Sequence, residues 1–201
     1  MKKQIIELFS GSKSVAETFE SHGWETVTVD NNAKLNPSMC CDILALSPAL
    51  LPKKVDFVWA SPDCSKFSRA ADQSNWLKTT IKYRIYDYKP NSAAALLSLQ
   101  LLAKTIEILN YYPGVLFIIE NPIGRLHHMD PMKNLGHYRY AVNYADFGFG
   151  YSKETYLFSN MMLPFSTKKV HSSKPGMRTI HSSFNRAKVP RPLVEKIISY
   201  I

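Results

Sequence analysis

The chain has 201 residues, 45% of them hydrophobic and 20% charged, which suits one globular domain, residues 1–201, with a sizeable core. Its 25 lysines and arginines outnumber 16 acidic residues, and the formal charge of +9 favours a polyanionic partner, first of all nucleic acid. Three cysteines exclude a disulfide framework and stand at no zinc-ligand spacing, so we expect no metal. With neither a signal-peptide pattern nor the roughly 18 apolar residues of a membrane span, the sequence predicts a cytoplasmic protein without a membrane partner.

The first predicted strand, residues 4–9, ends in a turn of small residues before a helical pattern over residues 14–22. The turn consists of Ser10, Gly11 and Ser12. A strand, turn and helix of this kind begin a βαβ unit, and the backbone N–H groups at the start of the helix suit an anionic or polar group of a cofactor. The turn lacks the second and third glycines of a dinucleotide fingerprint.

Two acidic residues follow the next predicted strands. Residues 26–30 form an alternating β-branched strand that ends in Asp30, where a carboxylate can accept hydrogen bonds from both hydroxyls of a ribose. Asp42 stands beside a predicted third strand edge and is placed to accept a hydrogen bond from an adenine amino group. A turn or capping role remains the alternative for each acid taken singly.

Cys64 follows a short apolar run, residues 55–59, that predicts a buried strand. The thiol lies in a turn rich in proline and serine, at the end of the strand where open α/β sheets place their chemistry. Cys64 is therefore a candidate nucleophile, and a cysteine that merely packs is the alternative.

The stretch from residue 69 to residue 91 mixes cations with aromatic residues, including Trp76, Lys78, Arg84 and Tyr88. Such a mixture can bind phosphates and stack on bases. Because it follows Cys64 directly, it predicts a loop that closes over substrate, with a solvated and partly helical insertion as the alternative.

Glu120 ends another buried strand, residues 115–119, that follows the long apolar helical pattern of residues 92–112. A buried acid is costly unless it has a partner or a function. Neighbouring parallel strands end at one edge of a sheet, so we expect Glu120 beside Cys64 as a candidate acid.

The rest of the chain predicts two further strands, at residues 138–144 and 155–158, and a short helix after Pro190. The segment between the second of these strands and the helix, residues 161–186, is irregular and rich in lysine, serine, proline and glycine. Alternating strands and helices predict an α/β fold with a mostly parallel central sheet.

Five elements in this order resemble the DNA (cytosine-5)-methyltransferases. They are the Phe-x-Gly turn at Phe9, the acid Asp30, the Asp-Ile pair at Asp42, the Pro-Asp-Cys-Ser-Lys-Phe-Ser run of residues 62–68 and the Glu-Asn pair at Glu120. The resemblance implies a Rossmann-like fold that binds S-adenosylmethionine and transfers its methyl group to carbon 5 of cytosine in DNA. It also implies a compact DNA-modifying enzyme, similar to the small methyltransferases that phages and mobile elements carry. Such enzymes occur in restriction-modification systems.

The same resemblance assigns roles to particular residues. Cys64 would be the nucleophile and Glu120 the acid, with a covalent cysteine adduct on the base. The cofactor would be bound by Phe9, Ser10, Gly11, Ser12, Asp30, Asp42 and Pro62, with Phe9 on the adenine, Asp30 on the ribose and residues 10–12 at the methionine end. Lys66, Arg84 and Lys153 are the candidate nucleic-acid contacts.

Two family motifs are altered. The Gln-x-Arg-x-Arg motif reads Tyr151-Ser152-Lys153-Glu154-Thr155, so only Lys153 keeps a cation, and lysine does not replace arginine at a planar site. Only the irregular segment, residues 161–186, stands where a target-recognition domain would lie, and the last motif is reduced to residues 186–190.

Several alternatives remain open from the sequence. A methyltransferase-like binding protein without turnover would fit the lost arginines, and an RNA cytosine-5 methyltransferase would fit the charge equally well. A partner subunit or homodimer would supply target recognition. A reactive Cys64 needs a lowered pKa, for which Lys66 or the basic stretch after it offers a cation.

Overall fold

The computed structural model describes residues 2–68, 73–82, 85–168, 173–176 and 187–201. The strands are β1 (Gln4–Leu8), β2 (Glu25–Asp30), β3 (Met39–Cys40), β4 (Phe57–Ala60), β5 (Trp76–Lys82), β6 (Ile85–Pro90), β7 (Leu116–Pro122), β8 (Tyr138–Asn143) and β9 (Glu154–Ser159). The helices are α1 (Ser14–Ser21), α2 (Ala93–Tyr111), α3 (Asp130–Lys133) and α4 (Arg191–Ile198).

Seven of these strands form one sheet in the order β3-β2-β1-β4-β7-β9-β8. The pairs from β3 to β7 are parallel, whereas β9 runs antiparallel to both β7 and β8. The prediction of an α/β fold with a mostly parallel sheet is confirmed. In the register of the two neighbours, Trp59 of β4 lies opposite Ile118 of β7, so the segments that follow these strands leave the same edge of the sheet.

Both faces of the sheet are covered, because successive strand residues point to opposite sides. On one side, residues such as Ile6, Val58 and Ile119 pack with Leu102 of α2. On the other side, a second set packs with α1 and α4: Ile5, Phe57, Trp59, Ile118, Phe19 and Leu193. The near-continuous apolar runs in the central strands are explained by this two-sided burial.

Helix α2 is rich in apolar residues, although it also carries the ion pair of Lys104 and Glu107. Among the described residues it is the one helix long and apolar enough, by length and composition, to cross a membrane. Because Lys104 and Glu107 interrupt its apolar pattern, α2 is not an uninterrupted apolar run of about 18 residues, which the sequence analysis did not find either. In the structure, Ala95, Leu102 and Ile108 of α2 are fully buried in the core on one face of the sheet.

The segment after Cys64 contains two antiparallel strands, β5 and β6, where the sequence predicted a loop. Trp76 anchors this hairpin, because its ring stacks on Phe67 at 5.6 Å and its Nε1 donates to the carbonyl oxygen of Lys66 at 2.8 Å. Asp42 follows the short strand β3, as the sequence predicted, and caps a 3-10 turn, where it accepts a hydrogen bond from the backbone N–H of Leu44.

Candidate active site

The turn after β1 has a left-handed backbone at three positions. The φ angles are +58° at Phe9, +46° at Gly11 and +56° at Lys13. Asp30 stabilises this turn, since its Oδ2 accepts a hydrogen bond from the N–H of Gly11 at 2.9 Å. A non-glycine residue with a left-handed backbone costs roughly 1–3 kcal/mol of conformational free energy, and such residues are concentrated at sites that bind ligands.

The turn that carries Cys64 is held by the carboxylate of Asp63. Its Oδ1 accepts from the N–H of Ser65 at 3.0 Å, and its Oδ2 accepts from the hydroxyls of Ser65 at 2.7 Å and of Ser98 at 3.3 Å. Because Ser98 belongs to α2, the turn is fixed to the helix layer as well as to β4.

The end of β7 is joined to the same turn. The side-chain amide of Asn121 donates to the carbonyl oxygen of Pro62 at 3.0 Å, and the N–H of Arg125 donates to the carbonyl oxygen of Phe67 at 2.8 Å. A Cβ atom at Gly124 would lie 2.0 Å from that oxygen of Phe67, so this position accepts only glycine without displacement of the backbone. The segments that carry Cys64 and Glu120 are therefore fixed relative to one another.

Glu120 is only 5% exposed and has two polar neighbours. The hydroxyl of Tyr144 donates to Glu120 Oε1 at 2.9 Å, and Nζ of Lys153 lies 3.4 Å from the same oxygen. Lys153 is itself only 7% exposed. This buried lysine contacts the carboxylate and lines the site, so its position favours substrate orientation over contact with a phosphate backbone.

A cavity of about 450 Å³ brings these segments together. It is lined by the turn after β1 (Phe9, Ser10, Gly11), by the nucleophile turn (Pro62, Asp63, Cys64), by Glu7, Glu120 and Lys153, and by Ala187 and Val189 near the C-terminus. A second cavity of about 190 Å³ is lined by Asp30, Cys41, Asp42 and Ile43. Phe9 and Asp63 line both, so the two cavities are compartments of one cleft.

The structure thus brings most of the predicted site residues together. Ser12 lines neither cavity, although its Oγ is buried one residue beyond the turn that does. Lys66 also lines neither cavity and is half-buried beside Trp76. Arg84 lies outside the described residues.

The thiol of Cys64 is held in its protonated form. Burial, and next the charge of Glu120, raise the pKa of Cys64 to about 11, while the Lys153 ammonium acts in the opposite direction. The lowered pKa that a reactive Cys64 needs is not found in the free protein, because burial at the site outweighs the cation. Among the described residues, the cation that acts on the thiol is Lys153 and not Lys66.

Glu7 is a second buried acid that the sequence analysis did not identify. It lines the larger cavity, and its Oε2 accepts a hydrogen bond from the N–H of Ala16 in α1 at 2.9 Å. Burial raises the pKa of Glu7 to about 8. An acid within an apolar strand was the available signal, since a carboxyl group in such a run needs a partner.

A metal site is not among the features of the described ranges: no group of three or more His, Cys, Asp or Glu side chains there could hold an ion. His127 and His128 contact each other, with ring centroids 3.8 Å apart. Burial lowers the pKa of His127 to about 3, so this imidazole is neutral at physiological pH.

Solved structures share this architecture. The chain superposes on a mutant of Spodoptera frugiperda DNMT2 with a TM-score of 0.51 at 20% identity, covering 87% of this chain and 56% of that one. For a putative DNA modification methyltransferase encoded within an E. coli prophage, the TM-score is 0.55 at 15% identity, covering 79% and 46%. The chain spans about half the length of these two proteins, and the likeness shows the Rossmann-like fold of methyltransferases that use S-adenosylmethionine.

No family model matches the amino-acid sequence of this chain. The sequence does have a curated relative. The chain is 30% identical over 163 residues to a probable DNA (cytosine-5)-methyltransferase of Frog virus 3 (isolate Goorha), a match that covers 79% of this chain and 71% of the relative. With that identity over most of both sequences, the chain belongs to the DNA (cytosine-5)-methyltransferase family.

Proposed function

We propose that the protein transfers a methyl group from S-adenosylmethionine to carbon 5 of cytosine in DNA through a covalent adduct with Cys64. One observation carries the proposal: the Cys64 thiol and the Glu120 carboxylate line a single cavity with the turn after β1. The viral relative that covers most of the chain is named as a probable DNA (cytosine-5)-methyltransferase, which supports DNA as the substrate.

S-adenosylmethionine is the methyl donor of the family, and the cleft offers suitable partners for it. In the part of the chain that the structure describes, the buried hydroxyl oxygens of Ser10 and Ser12 lack a hydrogen-bond partner, which a polar ligand group beside this turn would supply. Asp30 and Asp42 line the smaller compartment, where carboxylates suit ribose hydroxyls and an adenine amino group. When bound, the cofactor supplies an electrophilic methyl group.

Cys64 provides the nucleophile in this mechanism. Carbon 5 of cytosine is a poor nucleophile until a group adds at carbon 6, and covalent catalysis divides this difficult step into two easier ones. Because the thiol is protonated in the free protein, it must give up its proton as Cys64 Sγ adds to carbon 6, and the Glu120 carboxylate in the same cavity is the group that takes this proton up. Lys153 is the cation that favours the thiolate.

Glu120 stabilises the negative charge that develops on the substrate base, because it shares a proton with the base. As the bond between sulfur and carbon 6 forms, electron density moves to ring nitrogen 3, and a proton shared with the Glu120 carboxyl group neutralises it. Carbon 5 is then nucleophilic and takes up the methyl group. A base such as water then removes the carbon 5 proton, and the electron pair of that bond re-forms the ring double bond as the carbon–sulfur bond breaks and Cys64 leaves as a thiolate.

The substrate base must leave a duplex to reach this cleft, because the site lies at the strand ends within a cavity. The net charge of +9 supports binding to a polyanion, and Lys66 and Arg84 remain the proposed nucleic-acid contacts. We infer that the chain is one domain, in which residues 161–186 are too few for a separate target-recognition domain. A partner subunit or a second copy of the chain would then supply part of target recognition.

The test is transfer of a labelled methyl group from S-adenosylmethionine to mixed-sequence duplex DNA, with the product base identified by mass spectrometry. The proposal expects label on carbon 5 of cytosine, lost with Cys64→Ser and kept with Cys40→Ser. Cys40 is the matched control, because it is an exposed cysteine in the short strand β3.

The same assay separates the alternatives. Preference for RNA in a competition between DNA and RNA would replace the substrate and keep the chemistry. Cofactor binding without label on either nucleic acid would contradict the catalytic proposal and favour a binding protein of this family.

A further inference from the structure

Tyr144 is a fully buried tyrosine whose hydroxyl contacts the candidate acid. It directly follows β8, and its ring packs edge-on against Phe149 with centroids 5.6 Å apart. The hydroxyl donates to Glu120 Oε1 at 2.9 Å. Burial, together with the Glu120 charge, raises the pKa of Tyr144 well above its ordinary value, so the hydroxyl remains a hydrogen-bond donor at every working pH.

The backbone around Tyr144 is fixed by its neighbour Asn143. The Oδ1 of Asn143 accepts from the N–H of Ala145 at 3.1 Å and from the N–H of Lys153 at 3.2 Å, and its Nδ2 donates to Ser152 Oγ at 2.8 Å. The N–H of Tyr144 donates to the carbonyl oxygen of Lys153 at 3.1 Å. These bonds hold the Tyr144 turn against the segment that leads into β9, so the hydroxyl has little freedom to move away from Glu120.

Lys153 completes the arrangement around one carboxylate oxygen. Its Nζ lies 3.4 Å from Glu120 Oε1 and 4.5 Å from the centroid of the Tyr144 ring. A cation over an aromatic face is attracted to it, which stabilises the ammonium group in this buried place. Within the described residues, both contacts fall on Oε1 and no hydrogen bond is made to Oε2.

We propose that Tyr144 is a positioning residue for the reaction: its hydroxyl fixes Glu120 through Oε1 and leaves Oε2 to share a proton with ring nitrogen 3 of the substrate base. The inference rests on the proposed function. It follows from the geometry, because a carboxylate held at one oxygen by a rigid donor keeps one orientation, whereas a free carboxylate rotates. Preorganised donors of this kind lower a barrier by removing reorganisation at the moment of reaction.

Tyr140 provides a matched control in the same core. It is also buried, at 5% exposure, but its hydroxyl donates to the carbonyl oxygen of Met161 at 3.0 Å and accepts from the N–H of Leu163 at 2.9 Å. Tyr140→Phe therefore removes a buried tyrosine hydroxyl without contact to Glu120. Any loss of stability common to both variants is measured by this control.

The experiment compares the wild type, Tyr144→Phe and Tyr140→Phe in methyl transfer and in cofactor-free exchange of the carbon 5 hydrogen, measured as tritium release from DNA labelled at that carbon. Exchange reports the addition of Cys64 without methyl transfer, so it isolates the step that Glu120 assists. We expect Tyr144→Phe to lower both kcat and the exchange rate by about ten- to a hundredfold, the effect of one hydrogen bond to a charged group. The KM values for cofactor and DNA and the melting temperature should match those of Tyr140→Phe.

Each outcome decides a different question. If the wild type methylates cytosine and Tyr144→Phe keeps kcat and exchange within twofold of Tyr140→Phe, the positioning role is overturned while the proposed function stands. If Tyr144→Phe raises the KM for cofactor with kcat unchanged, the hydroxyl supports binding and the inference is equally overturned. A wild type that methylates neither nucleic acid contradicts the proposed function and this inference together.

Discussion

The side chain of Asn121 joins the two candidate catalytic segments, because its Nδ2 donates to the carbonyl oxygen of Pro62 at 3.0 Å. Asn121 follows Glu120 in β7, and Pro62 lies two residues before Cys64. A single amide thus links the acid strand to the nucleophile turn. It is 1% exposed, so no water competes for this bond.

Asn121→Ala should lower kcat more than it lowers stability, because it frees the Cys64 turn from β7. The loss of one buried hydrogen bond costs about 1–3 kcal/mol of unfolding free energy. We expect kcat to fall at least tenfold at temperatures where the variant is folded, measured as methyl transfer to DNA beside urea unfolding.

Asn160→Ala is the control for that comparison, since Asn160 bonds the other end of β7 through the N–H of Phe117 at 3.0 Å and the carbonyl oxygen of Val115 at 2.8 Å. It should lose stability and keep kcat. Equal losses of kcat in the two variants would show that Asn121 acts only through stability.

Gly124→Ala should disrupt the nucleophile turn. The added Cβ would lie 2.0 Å from the carbonyl oxygen of Phe67, and the obstacle is backbone, so the turn itself must shift. Overpacking of this kind costs about 1–3 kcal/mol or more. We expect a lower urea midpoint and a large loss of methyl transfer. Gly150→Ala, where a Cβ would meet nothing within 4 Å, should change stability little. A Gly124→Ala variant as active as Gly150→Ala would contradict the observed contact.

Alkylation of Cys64 should be slow at neutral pH and accelerate through pH 10, because its pKa is raised to about 11. Only the thiolate reacts, so the rate follows its population. Glu120→Gln should speed the reaction at pH 8.5 by removing a negative charge, and Lys153→Met should slow it by removing the cation. Mass spectrometry of the Cys64 peptide gives the rate after iodoacetamide treatment, with exposed Cys40 as an internal reference. A rate for Cys64 that levels off near pH 8 would show that burial does not control this thiol.

The sequence predicted the elements that depend on local pattern. Apolar β-branched runs located β1, β2, β4 and β7, and the rule that parallel strands end at one edge was sufficient to expect Glu120 beside Cys64. Both side chains line the same cavity. Their catalytic roles stay predictions until methyl transfer is measured.

Features that depend on long-range pairing were not readable from the sequence. Tyr144 was counted as the last residue of a strand, and only the β7-β9-β8 order brings it to an acid 24 residues away. The raised pKa of Cys64 was missed for a related reason: burial is a property of the assembled site, whereas a nearby lysine in the sequence suggests the opposite shift. The hairpin of β5 and β6 was read as a loop because its cations and aromatic residues concealed the alternation of its strands.

Glu7→Gln should reduce the decline of stability with rising pH. The carboxyl of Glu7 is 4% exposed, and its pKa is raised by burial from 4.5 to about 8, against the opposing effect of the Ala16 N–H bond. Between these values the folded protein keeps the proton and the unfolded chain has lost it. Stability from this group is therefore greatest below pH 4.5, falls by up to about 1.4 kcal/mol per pH unit in the window, and levels off above pH 8.

Glutamine keeps an oxygen for the N–H of Ala16 but does not ionise, so the variant should lack this decline. Urea unfolding at intervals from pH 5.5 to pH 8.5 measures the free energy of unfolding of each protein. Subtracting the wild-type value from that of the variant removes the contribution of the histidines, which both proteins share. We expect that difference to shift in favour of Glu7→Gln as pH rises. Glu17→Gln, on the exposed face of α1, should run parallel to the wild type. Parallel curves for Glu7→Gln as well would mean that Glu7 is ionised in the folded protein, with the start of α1 compensating its burial.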